Sequence, residues 1–79
     1  NYGFRKEVQI VNLDRIINIG ANIINPDILL EKGIIKSTSY PVKILGNGWI
    51  EKSLEITADM FSKSAVEKIE KAGGKAIYQ

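Results

Sequence analysis

The residue types that this chain lacks restrict its chemistry more than those it contains. Its 79 residues include no histidine and no cysteine, which removes the commonest general base, the usual zinc ligands and any disulfide. The carboxylates show no spacing that suggests a catalytic pair. Ser62 and Ser64 could act as nucleophiles only beside a base, so helix capping is their favoured role. The sequence therefore predicts no enzyme activity, no cofactor, no metal and no small-molecule substrate.

Lysines and the start of a helix are the remaining candidates for function. The net charge is +2, from 11 basic and 9 acidic residues. This alone is a weak argument for nucleic acid, because such affinity requires several phosphates to be neutralised together. A lysine beside the free N–H groups of a helix N-terminus could hold a phosphate, and Lys63 lies at a predicted helix start. From pattern alone, nucleic-acid contact remains the minority interpretation beside a solvated surface.

A glycine turn, Gly46–Gly48, follows an apolar segment. A dinucleotide-binding loop requires a third glycine and an immediate helix, whereas Glu51 and a strand pattern follow here. A structural turn is therefore favoured, since Asn-Gly tolerates positive φ. Trp49 in this turn could stack on a nucleotide base, but burial is the favoured role for a single tryptophan.

Alternation and β-branched residues predict the strands that would position these groups. Strands are expected at Glu7–Leu13, 34–36, Val42–Leu45, 53–58 and 75–78. The predicted core comprises Val42, Ile44, Leu54, Ile56, Phe61, Val66, Ile69 and Ile77.

Capping signals predict a short helix near the middle of the chain. Asn25 is a good N-cap, Pro26 suits the first helical position, and Gly33 fits the left-handed position after the last turn. Residues 13–19 could form a further helical turn, because their apolar side chains recur with helical spacing.

The last helix is predicted to begin after Ser62, where Phe61 and Val66 would form a hydrophobic staple. Ser64 is the alternative N-cap, because Ser64 and Glu67 have the spacing of a capping box. We prefer Ser62, because the staple would anchor the helix to the core.

Residues 8–36 and 42–78 show a weak internal repeat in the order of their predicted strands and helices. Each reads as a strand, a second extended piece, a helix, glycine and an apolar strand. Two such β-β-α units would each leave an apolar helix face uncovered, and stacking one on the other would bury both. The pattern predicts a small α/β domain.

Several segments resemble, in order and spacing, the C-terminal half of the bacterial-type large-subunit ribosomal protein fifteen family. They are Asn25–Lys36, Pro41–Gly48, Leu54–Ala58 and Phe61–Ala76, and the likeness extends over roughly residues 7–78. Its most specific parts are Lys43–Gly48 and Phe61–Ala65, followed by Ile69 and the Gly73-Gly74 pair.

This resemblance implies an irregular superhelix of stacked β-β-α units and a structural constituent of the large ribosomal subunit. Such a protein binds large-subunit ribosomal RNA, supports assembly and contacts neighbouring ribosomal proteins, without catalysis or cofactor. Family members also carry a long basic N-terminal extension. We therefore expect residues 1–79 to be a single globular domain, a fragment without that extension, located in a bacterial cytoplasmic or an organellar ribosome. No membrane contact is expected, since no apolar run approaches the length of a span.

The resemblance also implies which residues contact RNA. Glycine backbones allow close approach, serines and N–H groups donate to phosphate oxygens, and lysines add charge. The implied set is Gly46, Asn47 and Gly48 of the glycine turn, Ser62, Lys63 and Ser64 at the helix start, and the flanking Lys36, Lys43, Lys68 and Lys71.

Three residues depart from the family pattern. Asp59 and Met60 stand where the family often has a basic residue or histidine, and Trp49 replaces a usually polar residue. The alternative function is a protein-interaction module without RNA binding. Its apolar patches, including Trp49 and an edge strand at 75–79, would meet another protein by strand pairing.

Overall fold

Two three-stranded parallel sheets form the framework of the chain in a computed structural model that describes residues 8–79. Sheet A contains β1 (Gln9–Asn12), β3 (Val42–Leu45) and β5 (Met60–Phe61), in the order β1-β3-β5. Sheet B contains β2 (Ile23–Ile24), β4 (Glu55–Ala58) and β6 (Lys75–Tyr78), in the order β2-β4-β6. The prediction of an α/β chain is confirmed.

Successive strands alternate between the two sheets, so each strand pairs with the strand two places away along the chain. Gln9 pairs with Val42 in sheet A, and Ile24 pairs with Ile56 in sheet B. Parallel neighbours require crossover connections. The helical connections are α1 (Leu13–Ile16), continued by a 3₁₀ turn at Ile17–Ile19, then α2 (Pro26–Glu31) and α3 (Lys63–Lys71).

One hydrophobic core lies between the sheets and the helices. Its buried members are Val11, Leu13, Ile16, Ile24, Leu29, Ile35, Val42, Ile44, Ile50, Leu54, Ile56, Ala58, Ala65 and Ile69. The predicted core is confirmed at Val42, Ile44, Leu54, Ile56 and Ile69. Phe61 and Val66 are half-buried, and Phe61 packs against this core.

The assignment of Ile77 to the core is wrong, because its side chain is 37 % exposed. Ala76 lies in register with the buried Ile56, whereas Ile77 lies in register with Thr57. Since successive side chains of a strand point to opposite faces, Ile77 lies on the outer face of sheet B.

The predicted strand at 34–36 is also wrong. The N–H groups of Ile34 and Ile35 both donate to the carbonyl of Leu29, at 2.9 and 3.3 Å. They satisfy the end of α2 after Gly33 turns the chain with φ +75°. These N–H groups therefore bond to the end of α2 and are not available to pair with a neighbouring strand.

Two strand boundaries differ from the prediction. The strand expected over 7–13 ends at Asn12, because Leu13 already begins α1, and Glu7 lies outside the described residues. The strand expected over 53–58 begins at Glu55. The strands β2 and β5 have only two residues each, so an alternating pattern of apolar and polar residues cannot predict them from the sequence.

Both predicted helix caps are confirmed. The Asn25 side-chain oxygen accepts the N–H of Ile28 at 2.9 Å, and the Ser62 hydroxyl accepts the N–H of Ala65 at 3.1 Å. Ser62, and not Ser64, is therefore the N-cap of α3. Within the described part of the chain, no helix has the length and apolar character required to cross a bilayer.

Adjacent isoleucines of β2 provide a test of which face is buried. Ile24→Ala is expected to lower the free energy of unfolding by about 2 to 5 kcal/mol, because it leaves a cavity in the core. Ile23→Ala is the matched control, since Ile23 is 57 % exposed, and should cost less than about 1 kcal/mol. Urea unfolding followed by circular dichroism measures both.

The milder Ile24→Val variant, with an expected loss of about 0.5 to 1.5 kcal/mol, gives a value even if the alanine variant does not fold. Equal losses at positions 23 and 24 would contradict the assignment of faces.

Candidate nucleic-acid interface

The glycine turn packs directly against the start of α3. Gly46 is buried, and a Cβ at this position would collide with the Ser64 hydroxyl and lie 2.9 Å from the backbone nitrogen of Ala65. Real Cβ atoms do not approach backbone so closely. Glycine at position 46 therefore allows the end of β3 to touch the first turn of the helix.

The other end of the glycine turn packs against α1. Gly48 has φ +113°, and a Cβ there would lie 2.6 Å from the backbone nitrogen of Asp14. The Asp14 N–H also donates to the carbonyl of Asn47 at 3.1 Å. Gly48 thus meets two requirements at once, a left-handed conformation and a close backbone contact. The glycine turn is held between the starts of two helices.

The side chain of Lys68 holds the glycine turn by hydrogen bonds to its backbone. Its ammonium donates to the carbonyl of Gly46 and, at 2.9 Å, to the carbonyl of Gly48. The side chain is half-buried, so these two bonds bind the middle of α3 to the turn. Lys68 brings positive charge to this region, but its main structural role is to position the turn.

The start of α3 is anchored to sheet A. The Ser62 N–H donates to the carbonyl of Ile44 at 2.8 Å, which continues the pairing of β5 with β3. The Ser62 and Ser64 hydroxyls lie 3.3 Å apart. The first N–H groups of a helix have no partner within it, and Lys63 and Ser64 at this end are exposed. These groups can together donate to an oxyanion.

Most of the predicted site residues lie together in one group, and the other predicted lysines lie beyond it. The cluster is Gly46, Asn47, Gly48, Ser62, Lys63, Ser64 and Lys68, which we call the turn–helix cluster. Lys71 lies one helical turn beyond Lys68. Lys43 lies in register with Ile10 and Met60, and is half-buried.

Lys36 lies away from the turn–helix cluster. Its N–H donates to the side-chain oxygen of Gln9 at 2.7 Å, and Gln9 pairs with Val42 at the start of β3. The glycine turn follows the other end of β3, about 10 Å along the strand. Lys36 therefore cannot contact the same phosphate as the turn–helix cluster.

Sequence reasoning missed the role of Asp59. Its carboxylate accepts the N–H of Val42 at 2.8 Å and the side-chain amide of Gln79 at 3.3 Å. Asp59 thus satisfies the backbone at the start of β3 and fastens the C-terminal residue. These hydrogen bonds give the acidic side chain at position 59 a structural role.

The expected burial of Trp49 is wrong, because its side chain is 66 % exposed. It projects next to the glycine turn, between two surface hollows of about 120 and 580 Å³. The larger one lies between Trp49 and α3, beside Lys68 and Lys71. The single signal available in the sequence was the position of Trp49 directly after Gly-Asn-Gly.

A family model that groups the ribosomal proteins 50S-L15 and 50S-L18e with their 60S counterpart matches residues 7–77. The chain belongs to this family. The expected resemblance and the absence of enzyme activity are confirmed, because this family consists of structural, non-enzymatic proteins of the large ribosomal subunit. Its members occur in cytoplasmic or organellar ribosomes, and the match includes both 50S and 60S proteins. A bacterial type therefore stays a prediction.

The Lys68 contact with the glycine turn can be tested by two matched substitutions. Lys68→Met keeps the apolar stem but removes both hydrogen bonds to the turn, and should lower the free energy of unfolding by about 1 kcal/mol. Lys71→Met removes the same charge three residues further on and should leave stability nearly unchanged. Urea unfolding gives the stability of both variants.

Hydrogen exchange supplies a local readout. The Asp14 amide, bonded to Asn47, should exchange faster in Lys68→Met than in Lys71→Met. The same exchange rate in both variants would mean that Lys68 does not hold the turn.

Proposed function

We propose that this chain binds large-subunit ribosomal RNA through the turn–helix cluster and supports assembly of the subunit. The family match over residues 7–77 supports this proposal, since ribosomal RNA is the polyanion that such proteins meet. No chemical step is required of the chain, and neighbouring ribosomal proteins are its further partners.

The contact between Gly46 and the first turn of α3 is the observation that carries the proposal. It joins two segments that are 16 residues apart in sequence, from position 46 to position 62. As a result, the exposed amide of Asn47 and the exposed Lys63 and Ser64 belong to one surface. A phosphate at the start of α3 would receive backbone N–H groups, a hydroxyl and an ammonium.

The modest net charge of the chain indicates which interactions would position it on the RNA. The net charge is only +2, so we expect the position of the chain on the RNA to depend on shape and hydrogen bonds as well as on the lysines that meet phosphates. Lys71 would extend the contact along α3. Lys36 and Lys43 would meet other phosphates than those at the turn–helix cluster.

We infer that the fold winds as an irregular superhelix, as the resemblance implies. Support comes from the strand order, because each passage of the chain adds one strand to sheet A and one to sheet B. Such winding would hold the turn–helix cluster on a rigid frame. A preformed frame loses little conformational entropy on binding RNA.

The edge of sheet B favours a second function, strand pairing with a neighbouring protein. Among the described residues, β6 pairs with β4 alone. The N–H groups of Lys75 and Gln79 donate towards β4, so those of Ala76 and Tyr78 point away from it. An extended segment of another ribosomal protein could pair along this edge, and this contact is compatible with RNA binding elsewhere.

RNA binding through phosphates should depend steeply on salt. We expect log K for protein-free large-subunit ribosomal RNA to fall with log salt, with a slope of about −0.7 to −0.9 for each phosphate contacted. Lys63→Ala should weaken binding and make this slope shallower by about 1. Lys32→Ala is the matched control, because Lys32 is exposed at the end of α2 and lies outside the predicted site.

Filter binding at several salt concentrations measures the affinities, and circular dichroism checks that the variants are folded. The same weakening in Lys63→Ala and Lys32→Ala would remove Lys63 from the site. A folded chain that does not bind this RNA at low salt would support the protein-interaction alternative.

A further inference from the structure

Trp49 is the most exposed of the large apolar side chains that the structure describes, at 66 %. Its neighbours in sequence are held in place. Gly48 before it contacts Asp14 and Lys68, and Ile50 after it is 7 % exposed. The backbone on both sides of Trp49 is therefore held in place, and the indole lies outside the core. It is presented to the surroundings on a rigid support.

The larger of the two hollows beside Trp49 is bounded by the indole on one side and by α3 on the other. Its volume of about 580 Å³ lies within the range of sites that hold small ligands, about 300 to 1,000 Å³. An aromatic face next to an open hollow of this size is suited to a planar group. Nucleobases stack on such faces in single-stranded RNA recognition.

The charges around this hollow indicate the chemistry of its occupant. Four of its seven lining residues are charged, namely Glu51, Glu67, Lys68 and Lys71. A nucleotide can place its base against the apolar part of the hollow and its polar groups beside these charged side chains. The ammonium of Lys68 already donates to the carbonyls of Gly46 and Gly48. A nucleotide offers a phosphate oxygen to Lys71 and, from an amino group or a ring N–H of its base, hydrogen-bond donors to the carboxylates.

We infer that an unpaired nucleotide of the bound ribosomal RNA stacks on Trp49 in the hollow between this side chain and α3. Lys71 contacts its phosphate, and Glu51 or Glu67 accepts from its base. This inference rests on the proposed function and adds to it a residue outside the predicted site.

Fluorescence provides a direct test, because Trp49 is the only tryptophan of the chain. Titration with protein-free large-subunit ribosomal RNA should quench its emission with the same midpoint as filter binding. Trp49→Leu keeps an apolar side chain but loses the aromatic face, and should weaken RNA binding about tenfold. Trp49→Phe is the matched control, and its affinity should stay within about threefold of that of the unsubstituted chain.

The outcomes separate this inference from the proposed function. If the chain binds the RNA with unchanged fluorescence, and Trp49→Leu binds equally well, the stacking is wrong and the proposed function stands. If the unsubstituted chain does not bind the RNA at low salt, both are overturned. If Trp49→Leu keeps its RNA affinity but is not incorporated into reconstituted large subunits, Trp49 contacts a protein, and the inference is again overturned.

Discussion

The close backbone contact between Gly46 and the first turn of α3 is the constraint on which the candidate site depends. Position 46 admits no Cβ, since Ser64 and Ala65 occupy the space. This close contact also places the carbonyls of Gly46 and Gly48 within hydrogen-bonding distance of the Lys68 ammonium. A larger residue at position 46 would separate the turn from the helix and remove these hydrogen bonds as well. The absence of a side chain at position 46 therefore determines how the turn–helix cluster is arranged.

Parallel pairing explains why the glycine turn and the start of α3 lie at the same end of the molecule. β3 and β5 run in the same direction, with Ile44 in register with Phe61. The segments that follow the two strands must therefore emerge side by side. The bond from the Ser62 N–H to the carbonyl of Ile44 fixes their relative height. The two-residue strand β5 pairs with β3, and its Phe61 packs against the core.

Rigidity and modest charge suit a protein that is built into a larger assembly. The chain belongs to a family of large-subunit ribosomal proteins, and its turn–helix cluster is formed by backbone contacts before any partner arrives. Such preorganisation lowers the entropic cost of binding. The backbone that carries the exposed Trp49 is likewise held in place at Gly48 and Ile50. A surface shaped in this way is suited to recognition by shape and by hydrogen bonds as well as by charge.

The sequence alone determined the features that depend on neighbouring residues. The caps at Asn25 and Ser62, the helix end at Gly33 and the buried face of β4 follow from local hydrogen bonding and periodicity, and the order of motifs revealed the family. Tertiary structure decided the rest. The outward position of Ile77, the exposure of Trp49, the engagement of Lys68 and the use of residues 34–36 to end α2 depend on packing or on the partner chosen by a backbone amide. Alternation shows that a strand has two faces, but only its register with other strands determines which face is buried.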